Sequence, residues 1–254
     1  MIRWSWEKAN GAEENMARDC QMLESGCHIR FYSWRAPAIT LGYSQHPNEW
    51  VNLIRCHDLG VEVAQRPTGG GVVFHNRDLS WSISAPHSEL GLTSIQQCYQ
   101  KIHEAVASGI KKRLGLPLYL AGCQEAICSD QPPSFCFAVP VGYDIMIASK
   151  KLAGGAIRWT KKMILYQGTL LVVRDFSLLQ EVVLSPKRSW LKSLTTSSIS
   201  LRELKGDSWE YEDVIFAILE GLQKNLGWVF EEDSTREMRH LWTGNRRSKT
   251  GRYP

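Results

Sequence analysis

The segment RPTGGGVVFHNRDLSWSI, Arg66–Ile83, sets three consecutive glycines, Gly69–Gly71, between a proline–threonine pair and two runs of alternating apolar and polar residues. Glycine packs nothing and weakens a strand, so three beside one are a local cost. What such a run offers is bare backbone, whose N–H groups an anion or an acyl carbonyl can approach closely. The GxxxxGK[ST] spacing of a nucleotide-binding loop is absent, as is the GxGxxG dinucleotide pattern. Taken alone, the run reads equally well as a tight structural turn. The alternation after it predicts a hairpin, Val72–His75 and Leu79–Ser84, turning at Asn76-Arg77-Asp78.

Upstream, residues 12–25 have helical spacing, with Met16, Cys20 and Leu23 on one face. Ile29–Trp34 and Ala38–Tyr43 alternate like strands about a turn at Pro37. Trp50–Leu59 reads as a short helix, and Val61–Gln65 as a strand leading into the glycines. Downstream, Ile95, Cys98, Ile102, Val106, Ile110 and Leu114 mark a long amphipathic helix. Gly122–Ser134 is polar, contains Pro132-Pro133, and reads as a loop. Cys136–Val139, Tyr143–Ala148, Lys151–Arg158 and Ile164–Val173 then form a predicted meander. Asp207, with Glu210 three residues on, is the expected N-cap of a helix over Ser208–Leu226, which Gly227 ends. Trp228–Phe230 resembles a last strand before a short C-terminal helix. The mixture predicts an α+β fold: a mixed, largely antiparallel sheet with packed helices.

A chain of 254 residues, 43% hydrophobic, suits one large domain or a main domain with a small appendage. No apolar run approaches the ~20 residues that span a bilayer, and the N-terminus has no apolar signal core. A cytoplasmic protein without membrane attachment is expected. Seven cysteines, an odd number without CxxC or CxxH pairs, argue against a disulfide framework and against a metal site. The net charge of +4 is mild, and its excess gathers at Arg246, Arg247, Lys249 and Arg252. That tail is either a solvated terminus or a contact for an acidic partner. No basic stripe with interleaved aromatics suggests nucleic acid.

Two further stretches can carry chemistry. In SKKLAGGAIRW, Ser149–Trp159, a lysine pair precedes small residues, which suits a strand passing close to a ligand or another backbone, or else a surface hairpin. In PPSFCFAVPVGYDI, Pro132–Ile145, Cys136 follows a proline-rich loop and is either pocket-facing or an inert core thiol.

Taken in order, these stretches resemble the catalytic domain of the biotin- and lipoate-protein ligases and octanoyltransferases. RPTGGGVVFH is similar to that family's arginine–glycine ligand loop, KLAGGA (Lys151–Ala156) to its KxxGxA lysine motif, and YQGTLLV (Tyr166–Val172) to the strand that follows. NMARD (Asn15–Asp19) and RFYSWRAPAITLGYSQ (Arg30–Gln45) resemble its opening. SFCFAVPVGYDI resembles the segment that carries the nucleophilic cysteine in the lipoate-assembly octanoyltransferases and amidotransferases. Asn76, Ile157 and Gln167 depart from the pattern, and the triple glycine is closer to the ligase form.

The resemblance implies a class II synthetase/biotin-ligase-like fold. It also implies one catalytic domain over residues 1–254, of which 206–254 is a C-terminal helical extension. It implies acyl transfer from octanoyl-acyl carrier protein through a Cys136 acyl-enzyme to a lysine of a lipoyl domain or glycine-cleavage H protein, without a cofactor. Lys151 is then the catalytic cation. Arg66, Thr68, Gly69, Gly70, Gly71, His75, Gly154, Gly155 and Ala156 bind substrate, and Val72 and Leu79 line an acyl tunnel. The alternatives are a lipoate-protein ligase using lipoate or octanoate with ATP and Mg2+, and a non-catalytic acyl-binding relative. A monomer is expected.

Overall fold

The computed structural model describes residues 1–88, 90–91, 93–122, 135–184 and 189–233. Most of the expected 122–134 loop, Cys123, Cys128, the basic tail and the short C-terminal helix lie outside them. The strands are β1 (Ile2–Asn10), β2 (His28–Trp34), β3 (Ala38–Leu41), β4 (Glu62–Gln65), β5 (Val73–His75), β6 (Leu79–Pro86), β7 (Tyr119–Leu120), β8 (Ile145–Ile147), β9 (Lys150–Trp159), β10 (Met163–Leu170) and β11 (Phe230–Glu232). The helices are α1 (Ala12–Met22), α2 (Leu53–Asp58), α3 (Ile95–Leu114), α4 (Ser177–Val182), α5 (Ser189–Ser197), α6 (Leu201–Lys205) and α7 (Tyr211–Leu226).

Eight strands form one sheet in the order β11-β1-β2-β6-β10-β9-β8-β7, antiparallel except where β1 meets β2 and β11. A smaller sheet has the order β4-β3-β5. The expected α+β class is the one observed. β8, β9 and β10 are the predicted meander, and Gly168 of β10 faces Gly155 of β9 in register.

The expected hairpin over Val72–Ser84 does not form. β5 pairs with β3 in the small sheet, while β6 pairs with β2 and β10 in the large one. Arg77 takes a left-handed φ of 59°, and the fully buried Asp78 accepts from His75 and Ser80, so the turn carries the chain from one sheet to the other. Cys136–Val139 is also not a strand. Phe135 makes a single parallel bridge to Val72, and Ala138 N–H then donates to the Phe135 carbonyl, closing a turn. The last long helix starts at Tyr211 under a Glu210–Asp213 capping box rather than at Asp207, whose carboxylate pairs with Arg202. Cys20 is exposed; α1 instead buries Asn15, Met16, Asp19 and Met22. β1, α4, α5 and α6 were not anticipated.

The main core lies between the large sheet and α3 with α7, and includes Trp81, Ile83, Ile102, Val106, Ile110, Ile215 and Leu219, each fully buried. Burial of such side chains is worth roughly 1.5–3 kcal/mol each. Ser94 caps α3 by accepting from Gln97 N–H, and Gly115 ends it in the left-handed region. A second core of Ile39, Leu41, Trp50, Val51, Phe74 and Phe135 underlies the small sheet. Among the described residues, no helix is long and apolar enough to cross a membrane.

α3 and α7 meet backbone to backbone. A Cβ on Gly109 would lie 1.9 Å from the Ala217 oxygen, and one on Gly221 would lie 2.1 Å from the Ala105 oxygen. Alanine is favoured over glycine inside a helix by ~1 kcal/mol, but here it must push two helices apart. Gly221→Ala is therefore expected to lower the unfolding free energy by about 1–3 kcal/mol, the usual cost of overpacking. Urea denaturation measures it.

Candidate active site

The two sheets meet at the glycine run, and a narrow cavity opens there. It is lined by Arg66, Val73, His75, Cys136, Gly154 and Gln167, with Met16, Tyr32, Trp34, Phe137 and neighbours of these residues. The space open to the centre of a water molecule is about 40 Å³, room for roughly three waters at ~10–15 Å³ each.

Arg66 follows β4 and is buried. Its guanidinium folds back on the glycines. Nη2 donates to the carbonyls of Gly69 (2.8 Å) and Gly71 (2.6 Å), Nε to Gly69 (3.2 Å), and Nη1 to the Thr40 carbonyl (3.1 Å). The carbonyls of the run thus face Arg66. No hydrogen bond from an N–H of Gly69, Gly70 or Gly71 is formed among the described residues. Gly70 has a φ of +92°, and its carbonyl rests against Gly42, where a Cβ would lie 2.0 Å from that oxygen. Bare backbone on both sides lets the loop close over the Thr40–Gly42 segment.

Cys136 is half-buried in the turn after Phe135. Its N–H donates to the Val72 carbonyl (2.9 Å), and its thiol to the Gly71 carbonyl (3.6 Å). Lys151, at the start of β9, is buried; its Nζ donates to the Cys136 carbonyl (2.8 Å) and pairs with Asp144 Oδ2 at 2.7 Å. Asp144 is fully buried and also accepts from Tyr99 OH and Val141 N–H. Tyr143 holds a left-handed φ of 69°, which is uncommon for an aromatic residue and aims the next side chain inward. The Tyr99 oxygen accepts from Gly155 N–H. Gly154 makes room for the ion pair: a Cβ there would lie 2.6 Å from Lys151 Nζ and 2.9 Å from Asp144 Oδ1.

Behind this pair His103 is fully buried on α3, with Nδ1 against the Tyr143 carbonyl and Nε2 against Tyr166 OH, each at 2.8 Å. Burial, chiefly, depresses its pKa to about 4. The same desolvation raises the phenols of Tyr99 and Tyr166.

His75 stacks on Trp34 with ring centroids 3.9 Å apart, its Nδ1 2.8 Å from Asp78 and its Nε2 2.9 Å from the Thr40 hydroxyl. The carboxylate beside His75 is thus Asp78, not the residue at position 76. Gln167 donates to Asp19 Oδ2 (2.6 Å) and accepts from the Thr68 hydroxyl (2.6 Å). Asp19 is held by Arg30 (2.7 Å) and Tyr32 OH (2.9 Å), and Arg30 also binds Glu7 and Asn15. The NMARD residues Asn15 and Asp19 are therefore internal anchors of α1.

The structure thus brings Cys136, Lys151, Arg66, the glycine run, His75, Gly154, Gly155 and Ala156 to one place, with Thr68 just behind. One expectation fails. Val73, not Val72 or Leu79, lines the cavity, because Val72 and Leu79 are enclosed at 1% and 0% exposure whereas Val73 keeps 9%. Lys151 is charge-paired with Asp144 and reaches Cys136 through its carbonyl, while Arg66 Nη2 and the Cys136 thiol share the Gly71 carbonyl. Asp144, Asp78, Thr40 and Tyr99 had not been singled out; only the Tyr-Asp pair of VGYDI hinted at the first. Among the described residues, no group of three or more His, Cys, Asp or Glu is arranged to hold a metal.

The mixed sheet with its packed helices is the fold of the lipoate-protein ligases. A chain from the bipartite lipoate protein ligase and E2 lipoyl domain system of Thermoplasma acidophilum superposes with a TM-score of 0.75 at 23% identity, covering 91% of this chain and 86% of that one. Lipoate-protein ligase A bound with ATP gives 0.73 at 24% identity, covering 91% and 88%. The chain belongs to the lipoyl protein ligase A/B catalytic domain family, whose model matches residues 8–223. In sequence it is similar to octanoyltransferase LipM of Carboxydothermus hydrogenoformans, at 33% identity over 178 residues, or 67% of this chain and 64% of that enzyme. LipM of Bacillus subtilis is 27% identical over 208 residues, 78% and 74% respectively.

Two predictions follow from the buried charges. Gly154→Ala displaces the Lys151 head from Asp144 and is expected to cost about 3 kcal/mol in urea denaturation, as breaking a buried pair does. His103 is neutral when folded, whereas its unfolded form takes up a proton as pH falls through 6.5. Its contribution is therefore fully present above pH 6.5 and is lost progressively toward about pH 4. His103→Gln should flatten the fall in stability across that window, read from denaturation midpoints at stepped pH.

Proposed function

We propose that this chain is a cysteine-dependent octanoyltransferase of protein lipoylation, with Cys136 as nucleophile. The observation that carries the reading is the Cys136 thiol at the wall of the cavity, beside the Arg66–glycine loop and with Lys151 on its own carbonyl. Relatives named octanoyltransferase LipM support it.

In the first step the thiolate attacks the thioester carbon of octanoyl-acyl carrier protein, and the carrier thiol leaves with a proton. In the second, the neutral amine of an acceptor lysine attacks the Cys136 thioester, loses its proton, and releases the cysteine. Exchange between thioesters is nearly balanced and amide formation runs downhill, so neither ATP nor Mg2+ is needed. An ammonium carries three N–H donors. Two of those on Lys151 serve Asp144 and the Cys136 carbonyl, and the third is available to protonate the leaving thiolate and regain the proton from the incoming lysine. Arg66, Thr68, Gly69–Gly71 and His75 form one wall of the acyl site, and Gly154, Gly155 and Ala156 form the other.

The acceptor is a lipoyl domain or a glycine-cleavage H protein. The reading takes the chain as one catalytic domain, and among the described residues the packing of α7 on α3 within the main core supports it. The cavity is narrow for an eight-carbon chain, so the reading includes side-chain movement on loading.

Incubation with octanoyl-acyl carrier protein, without ATP, is expected to add one octanoyl group to the intact mass. The adduct should be labile to hydroxylamine and absent in Cys136→Ala. No adduct, together with modification of a lipoyl domain by lipoate and ATP, would establish a ligase instead. Silence in both assays points to a binding protein.

A further inference from the structure

The site holds two buried cations, and they are compensated differently. Lys151 has Asp144 at 2.7 Å, so that pair presents no net charge. Arg66 is equally buried, yet the groups it binds are neutral carbonyls of Thr40, Gly69 and Gly71 and the Thr40 hydroxyl. Among the described residues, no carboxylate pairs with it. Arginine keeps its proton in proteins, so a full positive charge lies in the cavity wall with only dipoles around it among the described residues. An unpaired buried charge is expensive, and a fold that keeps one at a cavity holds it for an anion.

The Cys136 side chain faces that charge. Its thiol and Arg66 Nη2 share one acceptor, the Gly71 carbonyl. The point where a Cβ on Gly70 would sit lies 3.0 Å from Arg66 Nη2 and 3.6 Å from Cys136 Sγ. The other ionisable groups nearby are occupied: His75 with Asp78, Lys151 with Asp144, and Tyr32 with Asp19.

We infer that Arg66 is a catalytic residue: its unpaired guanidinium holds the negative charge that moves through the acyl-transfer step. Once the Cys136 proton has passed to water, the charge sits on Sγ. As the sulfur–carbon bond forms, the carbonyl electron pair carries it to oxygen. When that pair returns and the bond to the carrier sulfur breaks, the charge leaves with the carrier thiolate, which is then protonated. Lys151 acts as proton donor and acceptor, and Arg66 as the fixed countercharge. This assignment rests on the transferase reading, but the charge itself can be measured without any acyl donor.

The test compares alkylation by iodoacetate, an anion, with alkylation by iodoacetamide, which is neutral. Rates are followed at Cys136 and at Cys20 in the same full-length protein by peptide mass spectrometry. Cys20 is exposed and adjoins Asp19, and serves as internal reference. The iodoacetate-to-iodoacetamide ratio at Cys136 is expected to exceed that at Cys20 by about tenfold or more, as a unit charge a few ångströms away would produce. Arg66→Gln should bring the ratio down to the Cys20 level. The double variant Lys151→Met/Asp144→Asn removes a neutral pair and should move it by less than about twofold. Equal ratios at the two cysteines of the unmutated protein would overturn the assignment without recourse to any variant. So would a ratio that survives Arg66→Gln and collapses in the double variant. Absence of an octanoyl adduct, with the ratio as expected, would sink the transferase reading and leave the charge assignment standing.

Discussion

The constraint on which the site depends is the burial of one guanidinium among backbone carbonyls. Arg66 reaches Thr40 of β3 on one side and Gly69 and Gly71 on the other, so a single side chain fastens the glycine run to the small sheet. A run of three glycines has little packing of its own to set its path. The fork supplies that path through several directed bonds, and Gly42 lets the run approach until the Gly70 carbonyl fills the space of a missing Cβ. Cys136 then docks on the same run, through Val72 and Gly71.

A second buried charge is handled in the opposite way. Lys151 and Asp144 neutralise one another, and Tyr99, Val141 and Gly155 knit the pair to α3 and β9. A third network, Glu7–Arg30–Asp19–Gln167–Thr68, fastens α1 to the large sheet and reaches the residue before the glycines. The cavity thus sits where three polar clusters converge between two apolar cores. Polar interiors of this kind tolerate little change, because each lost partner leaves a buried group unsatisfied.

Much of the local structure was legible in the sequence. The helical spacing of α3 is sustained over twenty residues, and β8, β9 and β10 follow one another along the chain and pair in that order, so neighbours along the chain are also neighbours in space. Local pattern fails where pairing is distant. Val72–His75 and Leu79–Ser84 look like partners because both alternate, but each finds its partner elsewhere, β5 on β3 and β6 on β2 and β10. The helix start at Asp207 failed for a similar reason: an Arg202 side chain took the carboxylate, and Glu210 with Asp213 formed the cap. Cys20 sits at helical spacing from Met16 but looks outward, since the buried stripe runs through Asn15 and Asp19. A hydrophobicity count would not place two polar residues inside.

What the sequence by itself determined is the set of parts. It specified a glycine run after an arginine, a lysine before small residues, a cysteine after a proline-rich stretch, and the elements that carry them. Their residue types and spacings follow from local chemistry. Only the tertiary structure decided which charge faces which atom. Asp144 lies seven residues before Lys151 and Arg66 seventy before Cys136, and no pattern along the chain says that the first two pair while the arginine, among the described residues, stays without a carboxylate. Electrostatic partnership depends on distances of a few ångströms across elements remote in sequence. Here the meeting of the two sheets sets those distances.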